Sequence, residues 1–390
     1  MHLQRDAVSG WQLETLTSTW EEEFMDRRKF LKNAGISGVA AAGAAAASFP
    51  TPALSQGKME LKMVTTWPKN FPGLGTGAQR VADRITAMTE GRITVKLYAA
   101  GELVPPFESF DAVSQGTADM YHGAEYYWQG KHKAFNFFTA VPMGFTAPEI
   151  DAWVNHMGGQ ALWEELSAQF NIQPFQAGNT GVQMGGWFAK EINSIEDIKG
   201  LKFRMPGLGG EVMRRLGANV VALPGGEIFP ALQSGAIDGT EWVGPWNDLA
   251  FGFYKVVKYY YWPGFHEPGS SLGVGINKGV FDKFSDSDKA IVRAACLAEN
   301  NYMYSEFVAN NGNALETLVN EHGVQLKRFP DDVWDGFGDV SEEVVAEVAE
   351  GDDLGKRIYE SYIKARKAAG GWTTISEQAY TIDRDRVLGS

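Results

Sequence analysis

Cysteine is almost absent from this chain. Cys296 is the only cysteine among 390 residues, so no disulfide can form within one copy of the protein. It lies in a helical pattern, where we expect it to act as a small buried apolar residue. The lack of disulfides does not by itself exclude an oxidising compartment.

Positive charge and histidine are also scarce. The chain has 35 Lys and Arg against 48 Asp and Glu, a formal net charge of −13 at pH 7, so its surface should repel nucleic acid and anionic membranes. No histidine is closely paired with Ser or Cys in the sequence, and zinc-ligand spacing is missing. We therefore predict that the protein is not an enzyme. We interpret the scattered histidines as structural: His122, His132, His156, His266 and His322.

The N-terminus has the features of a bacterial export signal. Arg27 and Arg28 are followed by an alanine-rich apolar run, residues 34–49, and then by small residues up to Ser55. This order is typical of a secretory signal, and the arginine pair resembles the twin-arginine type. The run is too short and too rich in alanine for a good membrane span. We predict cleavage near Ser55 and a periplasmic location; a surface amphipathic helix is the alternative. The acidic residues 1–24 are expected to be an upstream extension or the result of a mis-assigned start.

Beyond the signal, strands alternate with helices, which predicts a mainly parallel α/β sheet. The predicted strands are residues 61–67, 92–99, 119–121, 201–205, 219–222, 237–242 and 272–276. The first predicted helix follows a Gly/Pro-rich turn at 72–77 and ends at about residue 89. The other predicted helices are residues 107–115, 210–216 and 227–234. From Ser287 onward the pattern is mostly helical.

Three short stretches combine polar groups with apolar, β-prone surroundings: residues 178–187, 201–206 and 240–245. Together they supply one fixed cation, one anion, two amide side chains and two indoles. This inventory suits a small organic acid and a metal ion better than a bond-breaking reaction. The residues are Arg204, Glu241, Asn179, Gln183, Trp187 and Trp242.

Arg204 is the candidate anchor for an acid. Leu201, Phe203 and Met205 share one face of a strand, so Arg204 projects from the other face. A planar guanidinium can hold a carboxylate through two parallel hydrogen bonds. A structural ion pair is the alternative role for an arginine in this position.

Oxygen ligands for a hard cation are present in the same region. Gln183, Glu241, Glu267 and the backbone carbonyl of Trp242 are the kind of donors that Na⁺ and Ca²⁺ accept. Solvated loop carboxylates are the alternative interpretation. Two aromatic clusters, residues 126–128 and 259–262, either line a pocket or belong to the core.

With these residues assembled, the chain resembles the extracytoplasmic solute receptors of tripartite ATP-independent periplasmic (TRAP) transporters, from about Leu61 to the C-terminal helices. The most similar branch contains the receptors for 2-oxo acids such as pyruvate. The motifs that carry the resemblance are residues 101–105, 178–187, 236–245, 252–256 and 259–267.

The resemblance implies an α/β, two-lobed periplasmic binding protein fold with a hinge between the lobes and a helical C-terminal part. It places the extension and signal at residues 1–55. Lobe I would comprise 57–178 and about 243–282, and lobe II 179–242 and about 283–390. The implied partners are a small organic acid and the membrane subunits of a TRAP transporter. A homodimer is left open.

The resemblance also implies the roles of individual residues. Arg204 matches the arginine that pairs with the ligand carboxylate in this family. A metal ion that bridges ligand and protein would be held by the side chains of Gln183, Glu241 and Glu267 and the carbonyl of Trp242. The ligand-facing positions are Arg204, Gln183, Asn179, Tyr126, Tyr127 and Trp242.

Charge gives a physical reason for the metal. Glu241 and Glu267 would face the ligand's carboxylate, and Arg204 offsets only one of the three negative charges. Ca²⁺ would balance the remaining two and Na⁺ would leave one, so charge alone does not choose between them. The resemblance favours Na⁺, with Ca²⁺ as the alternative. The predicted function is therefore capture of a pyruvate-like 2-oxo monocarboxylate. The alternatives are a receptor for a 2-hydroxy acid such as lactate with Ca²⁺, or an exported metal-dependent enzyme acting on such acids.

Overall fold

The computed structural model of the protein describes residues 57–389. The predicted export signal, with Arg27 and Arg28, lies outside the described residues. The described part contains two β-sheets with helices packed around them. In chain order the strands are β1 (Met59–Thr65), β2 (Ile93–Tyr98), β3 (Met120–Gly123), β4 (Ile172–Asn179), β5 (Gly186–Phe188), β6 (Lys202–Arg204), β7 (Asn219–Val221), β8 (Gly239–Thr240), β9 (Tyr259–Trp262), β10 (Ser271–Asn277) and β11 (Gln325–Arg328).

Twelve α-helices accompany these strands within residues 57–389. They are α1 (Leu74–Met88), α2 (Ser109–Ser114), α3 (Ala147–His156), α4 (Gly159–Ala168), α5 (Gly207–Arg215), α6 (Gly225–Ser234), α7 (Pro245–Phe251), α8 (Lys278–Phe281), α9 (Asp286–Asn320), α10 (Asp331–Ala346), α11 (Asp353–Thr373) and α12 (Ala379–Leu388). Short 3₁₀ turns include Glu125–Trp128, which carries the first aromatic cluster.

The first sheet has the strand order β2-β1-β3-β10-β4. β1 runs parallel to β2 and β3, whereas β10 lies antiparallel between β3 and β4. The second sheet has the order β11-β9-β5-β8-β6-β7, with β5 antiparallel to β8 and β9. In each sheet all strands but one run in the same direction, and β10 and β5 are the antiparallel exceptions. The prediction of a mainly parallel arrangement is therefore confirmed, although the strands form two sheets. β5 and β10 each arrive from the other sheet and not through a helical crossover within their own sheet.

The chain passes between the sheets three times in the described residues, twice through short segments and once, from β10 to β11, through α8 and α9. Residues 180–185 lead from β4 to β5, and residues 263–270 lead from β9 back to β10. The strand predicted at 272–276 does return to the first sheet, as expected. The preceding strand β9 belongs to the second sheet, although the predicted lobe I includes its residues. The lobe boundaries themselves remain a prediction.

The long helix α9 packs closely on both α1 and β4. A Cβ on Gly77 of α1 would lie 2.3 Å from the Met303 Cε, and one on Gly178 of β4 would lie 2.6 Å from its Sδ. A side chain at either position would therefore force Met303 to move. Gly77, which the sequence placed in a turn, lies inside α1. Cys296 on the same helix is buried and free, as predicted.

The C-terminal part of the described chain is helical, as expected. Ile358 and Tyr362 of α11 are buried in the main core. Beyond them the helix leaves the core, and Trp372 and Ile375 are 64 % and 72 % exposed. Within residues 57–389 there is no helix long and apolar enough to cross a membrane.

Candidate binding site

The two short segments that connect the sheets, residues 180–185 and 263–270, meet at the predicted site. The backbone N–H of Gln183 donates to the carbonyl of Glu267 at 3.1 Å, and its side-chain Nε2 donates to Glu267 Oε2 at 2.8 Å. Gly264 N–H in turn donates to the Gln183 carbonyl at 2.9 Å. Residues separated by more than 80 positions in the sequence are thus fixed side by side.

Arg204 is buried at the end of β6, with 1 % of its surface exposed. Pairing of β6 with β8 sets Arg204 opposite Thr240, which brings the next residue, Glu241, against the guanidinium. Arg204 Nη1 donates to the Glu241 carbonyl at 3.0 Å and forms an ion pair with its carboxylate. Nε donates to the Leu223 carbonyl at 3.2 Å. Two of the three guanidinium nitrogens therefore already have protein partners.

Burial and charge oppose each other at this arginine. Burial disfavours the charged guanidinium, but Glu241 favours it, and the pKa of Arg204 is raised above its ordinary value. The structural ion pair that the sequence left as an alternative is thus present. It does not exclude ligand binding, because Nη2 has no hydrogen-bond partner among residues 57–389.

Three potential metal ligands cluster next to Arg204. One ligand atom each from Glu241, His266 and Glu267 lie within 4.8 Å of one another, and all three residues are buried. His266 Nε2 is 3.4 Å from Glu241 Oε2. The sequence had placed His266 among the structural histidines, yet the geometry adds it to the predicted carboxylates. The signal available in the sequence was its position directly before Glu267.

Two carboxylates this close disfavour each other's negative charge. Burial, followed by repulsion from Glu241, raises the pKa of Glu267 to about 7. The Gln183 side chain donates to Glu267 through Nε2, but its Oε1 accepts no hydrogen bond in the described part of the chain. Glu241 Oε2 also lacks a hydrogen-bond partner there. Because buried polar atoms are normally hydrogen-bonded, this set of oxygens fits a cation.

Other predicted residues also present unpaired polar atoms. Asn179 is fully buried at the end of β4, and its Oδ1 accepts a hydrogen bond of 2.8 Å from Gly181 N–H. Its Nδ2, like Trp242 Nε1, has no partner in the described residues. Each of these donors is available to a polar ligand.

A small pocket lies beside this cluster, with room for little more than a water molecule. Four of the predicted residues line it: Tyr126, Tyr127, Gln183 and Trp242. Arg204 stacks near the last of these, with its guanidinium carbon 5.2 Å from the indole centroid. Six further residues in the lining were not predicted: Trp67, Leu74, Thr180, Val243, Ser270 and Leu272. Except for Trp67 they are common residue types with no distinguishing pattern in the sequence.

Burial also changes the tyrosines. The pKa of Tyr127 rises to about 12, mainly because burial disfavours the phenolate. Burial raises the pKa of Tyr126 as well, and the negative charge of Glu267 adds to the shift. Both tyrosines are therefore neutral hydroxyl groups at physiological pH, able to donate a hydrogen bond to an acid.

Trp187, which the sequence grouped with the aromatic wall, lies in the core. It stacks on Tyr260 with centroids 4.0 Å apart, and its Nε1 donates to Asp248 Oδ2 at 2.9 Å. Asp248 also accepts from Tyr260 Oη at 2.6 Å and from Val243 N–H at 3.3 Å. This buried network supports the loop that carries Glu241. In the second aromatic cluster Tyr260 and Tyr261 belong to the core, whereas Trp262 is exposed.

A family model for bacterial extracellular solute-binding proteins, family 7 (DctP), matches residues 63–352. The monocarboxylate 2-oxoacid-binding periplasmic protein of Nostoc sp. is 40 % identical over 358 residues, which is 91 % of this chain and 98 % of that protein.

Two solved structures extend the comparison. A TRAP transporter solute binding protein from Bordetella bronchiseptica, a dimer with copurified calcium and picolinate, shares 33 % identity at a TM-score of 0.83, covering 85 % of this chain and 98 % of its own. A TRAP periplasmic solute binding protein from Pseudoalteromonas atlantica, with bound sodium and pyruvate, shares 38 % identity at a TM-score of 0.81. The match covers 83 % of this chain and 99 % of that protein.

These similarities confirm the predicted fold class, an α/β periplasmic binding protein with a helical C-terminal part. They also agree with the motifs that first suggested the family. The chain belongs to family 7 of the bacterial extracellular solute-binding proteins, the periplasmic solute receptors of TRAP transporters.

Proposed function

We propose that this receptor captures a small 2-oxo monocarboxylate of the pyruvate type, together with a metal ion, and delivers it unchanged to TRAP membrane subunits. The observation that carries the proposal is the unpaired Nη2 of buried Arg204 beside the unpaired oxygens of Gln183 and Glu241. A buried cation with a free donor next to free acceptors is suited to an acid and a metal ion bound together.

The contacts of Arg204 limit how the acid is held. Nε and Nη1 bind the protein, so Nη2 is the guanidinium atom left to the ligand carboxylate. Asn179 Nδ2 and the hydroxyls of Tyr126 and Tyr127 are the further donors in our assignment. A second carboxylate on the ligand would add negative charge near Glu241 and Glu267, which disfavours dicarboxylates.

The metal would be held by the Gln183 side chain, Glu241, the Trp242 carbonyl and Glu267. His266 is a fifth candidate, because its ring nitrogens lack hydrogen-bond partners among residues 57–389. Bound there, the ion would neutralise the carboxylates and offer coordination to the acid's oxygens. An oxygen-rich set favours Na⁺ or Ca²⁺. Relatives with bound pyruvate contain sodium in P. atlantica and calcium in Colwellia psychrerythraea, and we keep Na⁺ as the first ion to test. Calcium in the B. bronchiseptica relative keeps Ca²⁺ as the alternative.

The second candidate function is an exported metal-dependent enzyme acting on the same acids. Membership of a solute-binding family supports binding without turnover. Incubation of the purified protein with pyruvate and the metal, followed by a product assay, separates the two. Product formation at a rate that follows protein concentration would favour the enzyme.

Calorimetry tests the proposed ligand. Protein freed of metal by a chelator should be titrated with pyruvate, 2-oxobutyrate and lactate, each with Na⁺, with Ca²⁺ and with neither. We expect pyruvate and 2-oxobutyrate to bind only when a cation is present, and lactate to bind more weakly. If none of the three acids binds with either cation, the monocarboxylate proposal is wrong.

We also propose that the protein is exported by the twin-arginine route and forms a homodimer. The support for export is the pair Arg27-Arg28 before an apolar run; changing both to Lys should retain precursor in the cytoplasm, and unchanged periplasmic protein would contradict this. The support for the dimer is the exposed apolar surface of the last helices together with the dimeric relative.

We further propose that the two sheets belong to lobes that close on the ligand, with residues 180–185 and 263–270 as the hinge.

A further inference from the structure

Trp67 is part of the pocket wall, although the sequence did not single it out. It follows β1 directly and is buried, with 2 % of its surface exposed. Its ring is edge-on to Trp242 with centroids 6.2 Å apart, and equally distant from Tyr127. Leu74 and Leu272 line the same pocket, so this part of the wall is built mainly of carbon.

A histidine fixes the orientation of this tryptophan. Trp67 Nε1 donates a 2.8 Å hydrogen bond to His122 Nδ1. The other ring nitrogen, Nε2, lies 3.1 Å from the Ala177 carbonyl. Since a carbonyl only accepts, Nε2 carries the proton and Nδ1 is free to accept from Trp67. His122 thus connects the pocket wall to β4.

His122 remains in the form that this arrangement needs. It is fully buried on β3, and burial lowers its pKa to about 4. The neighbouring strand also holds its backbone, because Thr65 Oγ1 donates to the His122 carbonyl at 2.8 Å. The imidazole is therefore neutral at physiological pH, and the hydrogen bond to Trp67 persists.

The consequence concerns what Trp67 can offer to a ligand. Its single polar atom is occupied by His122, so only its carbon faces remain for the pocket. An apolar wall accepts an alkyl group and disfavours a buried carboxylate, which would lose its hydration without gaining a partner. The rigid ring also limits the space for a longer chain.

We propose that Trp67, held in place by His122, is the specificity-determining wall that confines the site to acids with a short uncharged tail. This rests on the proposed function, since it assigns the tail end of the same acid site. Trp67 would contact the ligand, and His122 would be a positioning residue that acts through Trp67.

The test compares ratios of affinity in the full mature protein with saturating Na⁺ and, separately, Ca²⁺. Pyruvate, 2-oxovalerate and the dicarboxylate 2-oxoglutarate serve as probes in calorimetry. In Trp67→Ala the affinity for 2-oxovalerate relative to pyruvate should rise about tenfold, the scale that one or two methylene groups produce in a pocket. His122→Leu, which leaves Trp67 Nε1 without its acceptor, should shift the ratio in the same direction. His122→Gln, which keeps an acceptor, should shift it less.

Trp163→Phe is the matched control. Trp163 is equally buried and stacks on Phe138 at 5.1 Å, but it does not line this pocket, so its variant should lower stability and leave the ratios unchanged. If Trp67→Ala does not fold, Trp67→Phe supplies the smaller ring, with the same direction of change. Equal losses of affinity for all three acids in the Trp67 and His122 variants would overturn the proposal. Failure of the wild type to bind any of the three acids would instead overturn the proposed function.

Discussion

Gln183 and Glu267 are joined twice, through a 3.1 Å backbone hydrogen bond and a 2.8 Å bond between their side chains. They belong to the two short segments that connect the sheets, residues 180–185 and 263–270, which we propose as the hinge. Both residues are also assigned to the metal in our proposal. In that proposal the metal site and the hinge occupy the same part of the molecule.

The first prediction concerns the anchor. Arg204→Met removes the only guanidinium in the proposed site and leaves the bound carboxylate without its charged partner. A loss of about 2–5 kcal/mol is expected for such truncation, which is roughly thirtyfold or more in affinity. Arg204→Lys should also bind weakly, because a single ammonium lacks the fixed planar donors that reach the Leu223 and Glu241 carbonyls while Nη2 is presented to the ligand. Calorimetry with pyruvate measures both.

Arg215→Met is the control for charge alone. Arg215 lies on α5 and forms ion pairs with Glu211 on the same helix and with Glu347, which follows α10. It does not line the pocket. The affinity of Arg215→Met for pyruvate should equal that of the wild type. Near-native affinity of Arg204→Met would remove Arg204 from the site.

The second prediction concerns the metal. Glu241→Gln preserves the shape of the side chain but removes one charge from the cluster with His266 and Glu267. Metal and acid affinity should fall together, because the coupling between two bound ligands is reciprocal. Titration of each ligand at fixed concentrations of the other reports this coupling. Glu306→Gln, which loses an ion pair to Arg80 on α1, should leave the coupling intact. Binding that is insensitive to chelators, to sodium removal and to Glu241→Gln would mean that no metal takes part.

The third prediction is a pair of pH effects of opposite sign. The folded state depresses the pKa of His122 to about 4, below the value of about 6.5 in an unfolded chain. The unfolded state therefore binds the proton more readily, and stability is lost as pH falls from about 7 towards 4, on the order of 3 kcal/mol in total. Burial raises the pKa of Glu125 to about 8, so its stabilising contribution is lost as pH rises from about 4.5 to 8.

Urea unfolding between pH 4 and 8 measures these contributions as differences from the wild type. His122→Gln should flatten the acid side of the stability curve, and Glu125→Gln should flatten the neutral side. Parallel curves for wild type and variants would show that neither residue is linked to folding through its proton.

The fourth prediction concerns closure of the proposed lobes. Binding of pyruvate with Na⁺ should reduce the radius of gyration slightly in solution scattering, because the two sheets approach each other around the acid. Trp67 and Trp242 line the pocket, so tryptophan fluorescence should change in parallel, and Trp242→Phe should reduce that signal. A flat response of both measurements to pyruvate, 2-oxobutyrate and lactate would exclude closure on a monocarboxylate.

The fifth prediction concerns the C-terminal helices. A second copy of the chain should cover the exposed apolar side chains at their end, which are Trp372, Ile375, Tyr380, Ile382, Val387 and Leu388. Replacing Ile375 and Ile382 by Asp should convert a dimer into a monomer in multi-angle light scattering, because charged groups are costly in an apolar interface. Ligand affinity should be retained. A wild type that is monomeric at all concentrations would rule out this use of the surface.

The chain's own residue pattern predicted most elements within a few positions. The helix expected up to about Thr89 is α1, which ends at Met88, and the strand expected at 201–205 is β6, Lys202–Arg204. These elements are local, so alternation and helix periodicity identify them. Motifs such as residues 178–187 and 236–245 were enough to identify the family, because they are long and unusual.

Residue patterns could not predict the contacts between residues that are far apart in the sequence. The pairing of β6 with β8 brings the Glu241 carbonyl to Arg204 Nη1, and its pairing with β7 brings the Leu223 carbonyl to Nε. Only these pairings reveal that Nη2 is left free. Only the crossing at residues 263–270 brings His266 to Glu241. The predicted binding and metal residues remain a proposal, but the structure gathers their side chains into one buried region.

The sequence by itself determined the class of fold, the family and the types of residue available for an acid and a cation. Tertiary structure decided which atoms of those residues are left unpaired, that Trp187 belongs to the core, and that Trp67 is held at the pocket by His122. The physical reason is that periodicity and composition describe each segment alone. Burial and hydrogen-bond partners depend on which segments meet, and both sheets are assembled from strands far apart in the chain.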